Sequence, residues 1–403
     1  MKLFCITKDT KYRIINILGI KLRFRSKYRA LQHKVNQLED ELMTCKENIK
    51  CAFLSNYYSG IPTKNPKDSW HKHLIKVVTD SYDIIDSAER NANRVIVYMT
   101  EQTQETGLAD RIRTMTTAYI MAAEAGRDFY IYHDKGFKLE DYLLPNEVDW
   151  RISQDDISKG INKVSFLFLY SRFQKLTDTG REWHIYQSNN IIDNQFLPDA
   201  LKDKYSDASV FRKLFRIHPD LLTHAAQVME NMGITERGYV AVHARFLNFF
   251  EQVEPVIDKS PKQERVAKDV DFGTGTEDEK AKMLLDMKYT LENIHRETGL
   301  PIVLFSDTNS FLASPHAPYV HLVPGTVGHI CLHQKADTIQ KTFLDLIIMS
   351  KAETVYSILG ENLHRMTPQS DNQARMNGFS HLGAYMGNRP FIRYQLMDSN
   401  SAP

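Results

Sequence analysis

Apolar positions along the chain recur with two different periods, and the switching between them predicts alternating strands and helices. Val95-Ile-Val-Tyr-Met is an apolar run of strand length. Ile112, Met115, Tyr119 and Ala122 then share one helical face, and that helix should stop at Gly126. Asp128-Phe-Tyr-Ile-Tyr-His, Val164-Ser-Phe-Leu-Phe-Leu and His184-Ile-Tyr read as further strands. Helical spacing covers about 210–232, and a strand runs from Gly238 to His243. A long acidic helix is predicted over about 277–298, followed by strand Pro301-Ile-Val-Leu-Phe-Ser-Asp. A helix around Ile339, Phe343, Leu346 and Ile347 precedes strand Thr354-Val-Tyr-Ser. Such alternation predicts an α/β protein with parallel sheets, its two halves parting near 205–236.

The first 60 or so residues follow other rules. Leu31, Val35, Leu38, Leu42, Cys45 and Ile49 alternate spacings of four and three, an a/d seam. The seam predicts a short coiled coil and a homodimer through residues 31–49, or a helix docked on its own domain. Ser59-Gly-Ile-Pro-Thr-Lys-Asn-Pro reads as a linker.

The net charge of +1 conceals an uneven distribution. Nine Lys and Arg against Asp9 alone give residues 1–29 a charge of +8 and leave −7 for the rest. With Ile14, Ile15, Ile17, Leu18, Ile20, Leu22 and Phe24 interleaved, this segment suits an anionic membrane surface, or else an arm on the acidic body. The acidic body and the lack of a binding motif argue against nucleic acid as a partner. No apolar run approaches the ~18 residues that span a bilayer, and no secretory leader is recognisable at the start. Cys5, Cys45, Cys51 and Cys331 are scattered, so a reducing cytoplasm is expected.

Candidate chemistry gathers at strand ends, where ligands bind in open α/β sheets. His243-x-Arg245 sets an imidazole and a guanidinium on one side of an extended chain. The Arg245 fork suits a phosphate, although the pair would serve equally on a surface. Glu251 and Glu254 follow, each a general base or a solvated acid. Phe246, Phe249 and Phe250 form an acceptor platform or a small core. Gly107-Leu-Ala-Asp110-Arg111-Ile-Arg113 opens a helix: Asp110 is an ordinary cap there, while two early arginines hint at an anion. Asp307 ends a strand, Asp345 lies on a helix, Ser357 ends the next strand, and Gly378-Phe-Ser380-His381 opens a helix with small residues suited to close backbone approach. His329, Cys331 and His333 lack a fourth ligand in sequence, so no metal is expected.

Three of these segments, in this order, resemble the fucosyltransferase superfamily of nodulation-type α1,6-, α1,2- and protein O-fucosyltransferases. Gly107-Leu-Ala-Asp110-Arg is similar to the family's Gly-Leu-Gly-Asp/Asn-Arg opening, and Val242-His243-Ala-Arg245 to its His-x-Arg motif. The run from Asp345 through Ser357 to Gly378-Phe-Ser-His-Leu-Gly-Ala-Tyr resembles its donor segment. Ala109 stands where the family has a second Gly, and Phe246 where many members have a second Arg. The resemblance implies a GT-B-like fold, two Rossmann-like domains facing a cleft: 59–220 on the acceptor side and 221–403 binding the nucleotide-sugar, after a basic and coiled-coil extension over 1–58. It implies Arg245 on the diphosphate of GDP-fucose with no metal cofactor. His243, Asp307, Asp345, Ser357 and Ser380 would line the donor, Gly107, Asp110, Arg111 and Arg113 the cleft, and Glu251 or Glu254 would be the base. The function expected is an inverting transfer of fucose to a bacterial surface or lipid-linked glycan. The alternatives are another nucleotide-sugar, or a non-catalytic scaffold that binds nucleotide or glycan and assembles through the coiled coil.

Overall fold

A computed structural model describes residues 4–8, 12–17, 20–25, 34, 36–38, 95–99, 107–133, 136–152, 164–169, 182–187, 199–205, 207–246, 249–251, 275–328, 335–359 and 378–399. The chain falls into two compact units, Met1–Tyr57 and Tyr58–Pro403.

In the first unit β1 (Phe4–Lys8), β2 (Tyr12–Ile17) and β3 (Ile20–Arg25) form an antiparallel sheet in that order. Basic charge had drawn attention to this stretch, and its strands were not expected. Yet Ile20-Lys-Leu-Arg-Phe-Arg alternates with the period of a strand. Ile17 pairs with Ile20 at the end of the β2–β3 register. Of the heptad seam, only Leu38 lies among the described residues, helical and exposed; Leu31, Val35, Leu42, Cys45 and Ile49 lie outside them.

The second unit begins with β4 (Val95–Met99), α1 (Leu108–Ala125), β5 (Asp128–Tyr132) and a short β6 (Leu143–Pro145). Next come β7 (Val164–Leu169), β8 (Glu182–Gln187), α2 (Asp199–Lys202), α3 (Asp207–Leu214), β9 (Phe215–Ile217) and α4 (Pro219–Asn231). Then follow β10 (Val240–Arg245), α5 (Glu277–Thr298), β11 (Ile302–Ser306), α6 (Asn309–Leu312) and β12 (Val320–Leu322). The chain ends with α7 (Ala336–Lys351), β13 (Val355–Leu359), α8 (Gly378–Gly387) and β14 (Phe391–Arg393). Two all-parallel sheets result, β5-β4-β8-β7 and β12-β11-β10-β13-β14, so the protein is α/β with parallel sheets as expected.

Local chemistry sets the boundaries. Gly126 closes α1 in the left-handed region (φ 62), its N–H donating to the Ala122 and Ala123 carbonyls. Thr276 and Glu279 form a reciprocal capping box that starts α5. The helical segments expected over about 210–232 are two helices, α3 and α4, with the short strand β9 between them. Pro219 biases its predecessor His218 toward extended backbone, and β9 pairs with β6 in front of it.

Strand β10 is covered on both faces. Val240, Val242 and Ala244 pack with Met283, Met287, Leu291 and Ile294 of α5. Ala241 joins Val303, Phe305 and Val355 in a second core with α7 and α8. Phe246, Phe249 and Phe250, with Phe311, extend the first of these cores. Phe246 lies 4.8 Å from Phe250 and 4.7 Å from Phe311, centroid to centroid, and is 1% exposed. Of the two readings of these rings, the core is the one found. Among the described residues no helix is long and apolar enough to cross a membrane.

Candidate functional site

The end of β10 meets the starts of α1 and α8. Arg245 is the last residue of β10, about one-third exposed, with its Nε 4.0 Å from an Asp307 carboxylate oxygen at the end of β11. The other Asp307 oxygen accepts the Phe246 N–H at 2.8 Å and the Thr308 hydroxyl at 3.2 Å. Asp307 therefore both fixes the backbone just after Arg245 and sets a counter-charge beside its guanidinium.

His243 is 4% exposed and its ring is tilted by 50° against that of Phe379 of α8, 5.6 Å between centroids. Burial, with Arg245 and Lys341 adding to it, lowers its pKa to about 3. A neutral imidazole offers hydrogen bonds and no charge, so Arg245 is the cation at this strand end. Ser357 pairs with His243 across the sheet and is likewise buried.

Behind them α7 carries a buried ion pair, Lys341 with Asp345, one helical turn apart. Burial pushes the Asp345 carboxyl up against the pull of Lys341. Sequence reasoning missed Lys341, although its spacing of four from Asp345 was a signal. Its aliphatic stem passes close to Gly325, where an added Cβ would stand 3.0 Å from Lys341 Cδ.

From the other side, α1 brings its first turn to α8. Arg113 donates to His381 Nδ1 at 2.7 Å and reaches the Gly378 carbonyl at 3.5 Å. Asp110 faces both Arg113 and Arg245. Arg111 turns away and is 1% exposed; its Nη1 donates to His133 Nε2 at 3.1 Å. The His133 Nδ1–H in turn meets the Phe137 carbonyl at 3.1 Å, and burial, then Arg111, lower that imidazole to about 3. Arg111 is thus a buried cation beside the His133 imidazole.

Glu251 lies after the aromatic cluster, where one carboxylate oxygen accepts the N–H groups of Asn309 (2.6 Å) and Ser310 (3.3 Å) at the start of α6. Glu254, His329, Cys331 and His333 lie outside the described residues. Among the described residues no three His, Cys, Asp or Glu gather as a metal would need. Ser380 is fully buried. The glycines of α8 allow close packing against α7 and α1. A Cβ on Gly387 would overlap the Ser350 carbonyl of α7, and Gly378 abuts Arg113 and Ala109.

No family model and no curated protein matches the sequence. Solved structures of fucosyltransferases do match. NodZ α-1,6-fucosyltransferase soaked with GDP-fucose is 12% identical with a TM-score of 0.40, over 75% of this chain and 95% of that one. A NodZ structure from Bradyrhizobium gives 13%, 0.40, 75% and 95%. Arabidopsis thaliana FUT1 in complex with GDP, as a point variant, gives 11% and 0.41 over 87% of this chain and 78% of that one. POFUT1 in complex with GDP-fucose gives 12% and 0.34 over 77% and 99%. Likeness this distant assigns no role to any residue of this chain.

Proposed function

We propose that this chain is a fucosyltransferase-type glycosyltransferase that takes fucose from GDP-fucose, its two sheets forming GT-B-like lobes about a cleft. One observation carries the reading. Three segments far apart in sequence, Gly107–Arg113, His243–Arg245 and Gly378–His381, meet at one place, and each is a segment through which the sequence resembles that superfamily. Arg245 binds the diphosphate. Asp307 orients Arg245 rather than touching the nucleotide, and His243, Ser357, Asp345 and Ser380 line the donor from within. Asp110 and Arg113 face it across the seam.

In the reaction an acceptor hydroxyl attacks the anomeric carbon from the side opposite the phosphate. Its proton goes to a carboxylate, and the carbon–oxygen bond to the diphosphate breaks, its electron pair leaving with GDP. The configuration inverts. Arg245 offsets the charge that develops on the leaving oxygen, a preorganised cation needing no metal. Glu251 is the base, a carboxylate in the loop after the His-x-Arg strand whose one oxygen is held by the Asn309 and Ser310 N–H groups. Glu254 is the other candidate. The acceptor is a surface or lipid-linked glycan, to which the basic residues 1–29 bring the enzyme at an anionic membrane.

Calorimetric titration with GDP, UDP, CMP and GDP-fucose tests the donor. Selective GDP binding is expected, with Arg245→Ala weakening it by about 1.5–3 kcal/mol, the range of a charge-assisted hydrogen bond. Preference for another nucleotide changes the sugar. Binding that Arg245→Ala leaves intact removes the assignment, and no binding at all favours a scaffold.

A further inference from the structure

The first turns of α1 and α8 meet so closely that a Cβ on Gly378 would lie 3.4 Å from Arg113 Nη1, 3.5 Å from Ala109 Cβ and 3.7 Å from an Asp110 carboxylate oxygen. Arg113, 7% exposed, spends Nη2 on Gly378 and His381. Its Nη1 is buried and, among the described residues, has no hydrogen-bond partner. Buried guanidinium donors are rarely left unmade, so an acceptor belongs at this spot.

Among the described residues Asp110 is the acid that interacts with both Arg113 and Arg245. Among the described residues the side-chain hydrogen bond at Asp110 runs from the Thr114 hydroxyl to its backbone carbonyl and leaves the carboxylate out. Burial raises the carboxyl, while Arg113 and Arg245 pull it down by charge alone. A carboxylate held by field rather than by bonds is easily replaced by a better acceptor. A diphosphate is one, with several oxygens able to reach both guanidinium groups.

We propose that Asp110 is the internal counter-anion of the empty site: it offsets Arg113 and Arg245 until a nucleoside diphosphate enters, and then surrenders its charge by taking one proton from solvent. The proposal rests on the reading of Arg245 as a diphosphate ligand, and it adds Arg113 as a second cation at that site. Like charges within about 4–6 Å raise a carboxyl pKa by about 1–3 units, the same direction in which burial pushes Asp110. The charged groups around Asp110 are Arg113 on its own helix, Arg245 on β10 with Asp307 behind it, and His381 on α8. His381 is the competing proton acceptor, but Arg113 donates to its Nδ1 and so opposes a second charge there.

The test is calorimetry of the full chain with GDP at one pH in PIPES and in Tris, whose ionisation enthalpies differ. Comparison with Asp110→Asn removes the nucleotide's own titration. The parent should take up about one more proton per GDP than Asp110→Asn, and the variant should bind at least about tenfold more tightly at pH 7.5, the equivalent of one unit of pKa. His381→Gln should keep the proton uptake. Equal proton counts in parent and Asp110→Asn, or uptake lost only in His381→Gln, overturn the proposal while leaving the donor site intact. Absence of GDP binding by the parent overturns the donor reading itself. Should Asp110→Asn fail to fold by circular dichroism, the comparison uses Asp110→Ser, with the same outcomes deciding.

Discussion

The two faces of β10 differ although every residue of the strand before Arg245 is buried. One presents Val240, Val242 and Ala244 to α5 and the phenylalanine cluster, with aliphatic and aromatic packing on every side. The other carries His243 and Arg245 toward α7 and α8, where the Lys341–Asp345 pair, Ser357 and Ser380 are buried with them. Apolar burial stabilises by about 25 cal/mol per Å². Buried ionic and polar groups repay their desolvation only when well paired. One strand thus separates folding from chemistry: its first face gains stability, and its second gives up some of that gain to hold charges in place.

Acid should break the comparison most completely. His243 lies on the polar face, and His133, beside Arg111, is buried likewise; both are held down to about 3 against an ordinary value of 6.5. Between those values the unfolded chain binds more protons than the folded one. Stability is therefore fully present above pH 6.5, falls as pH drops toward about 3, and falls no further on this account below it. Urea denaturation from pH 8 to 4 should show that decline. His243→Gln should make it shallower, whereas Val242→Ala on the opposite face should lower stability equally at every pH. A parallel slope in His243→Gln would mean that this imidazole is charged in the folded protein.

Truncation on the dry face comes next. Phe246→Ala removes a ring that contacts Phe250 and Phe311, and should cost about 3–5 kcal/mol by urea denaturation. GDP affinity of the folded fraction should stay within about threefold. A cost below about 1 kcal/mol would mean that these rings are not core.

The Lys341–Asp345 pair sharpens the contrast from the polar side. Lys341→Met alone strands a buried carboxylate and should cost about 3 kcal/mol. Adding Asp345→Leu should recover most of that loss, because an apolar pair packs as well as an ionic one. The double variant should nevertheless lose GDP binding. Recovery of both stability and binding would make the pair a mere packing element.

How far this division could be read from sequence differs between the faces. The apolar periods of β4, α1, β10, α5, β11 and α7 gave their positions within a few residues, because burial imposes a period on side chains. Strands β12 and β14 were missed: each has three residues, too few to show a period, and depends on its neighbour in the sheet. At the site, His243 and Arg245 were visible as a spacing. The contacts of Arg113 with His381 and of Asp307 with Phe246 join residues 268 and 61 positions apart, and no local pattern encodes such distances. Arg111 and Arg113 looked equivalent in sequence. Helical geometry separates residues two apart by about 200° around the axis, which sends one to His133 and the other to α8.

Asp307 lies where the two faces join, and it carries the smallest effect. Its carboxylate holds the N–H of Phe246, the first residue of the aromatic cluster, and stands 4.0 Å from Arg245. Asp307→Asn keeps an oxygen for that N–H and removes only the charge, so stability should change by less than about 0.5 kcal/mol. Without its counter-charge Arg245 loses orientation but gains net positive field for a diphosphate, two effects of opposite sign. Orientation should prevail at high salt, where screening weakens the field. GDP binding should then fall by about 0.5–1.5 kcal/mol at high salt and by less at low salt. Asp307→Ala also strands the Phe246 N–H and should add about 1–3 kcal/mol of lost stability. GDP binding left unchanged by Asp307→Asn at high and low salt would mean that the carboxylate acts on the backbone alone, and Arg245 would then need no orienting partner.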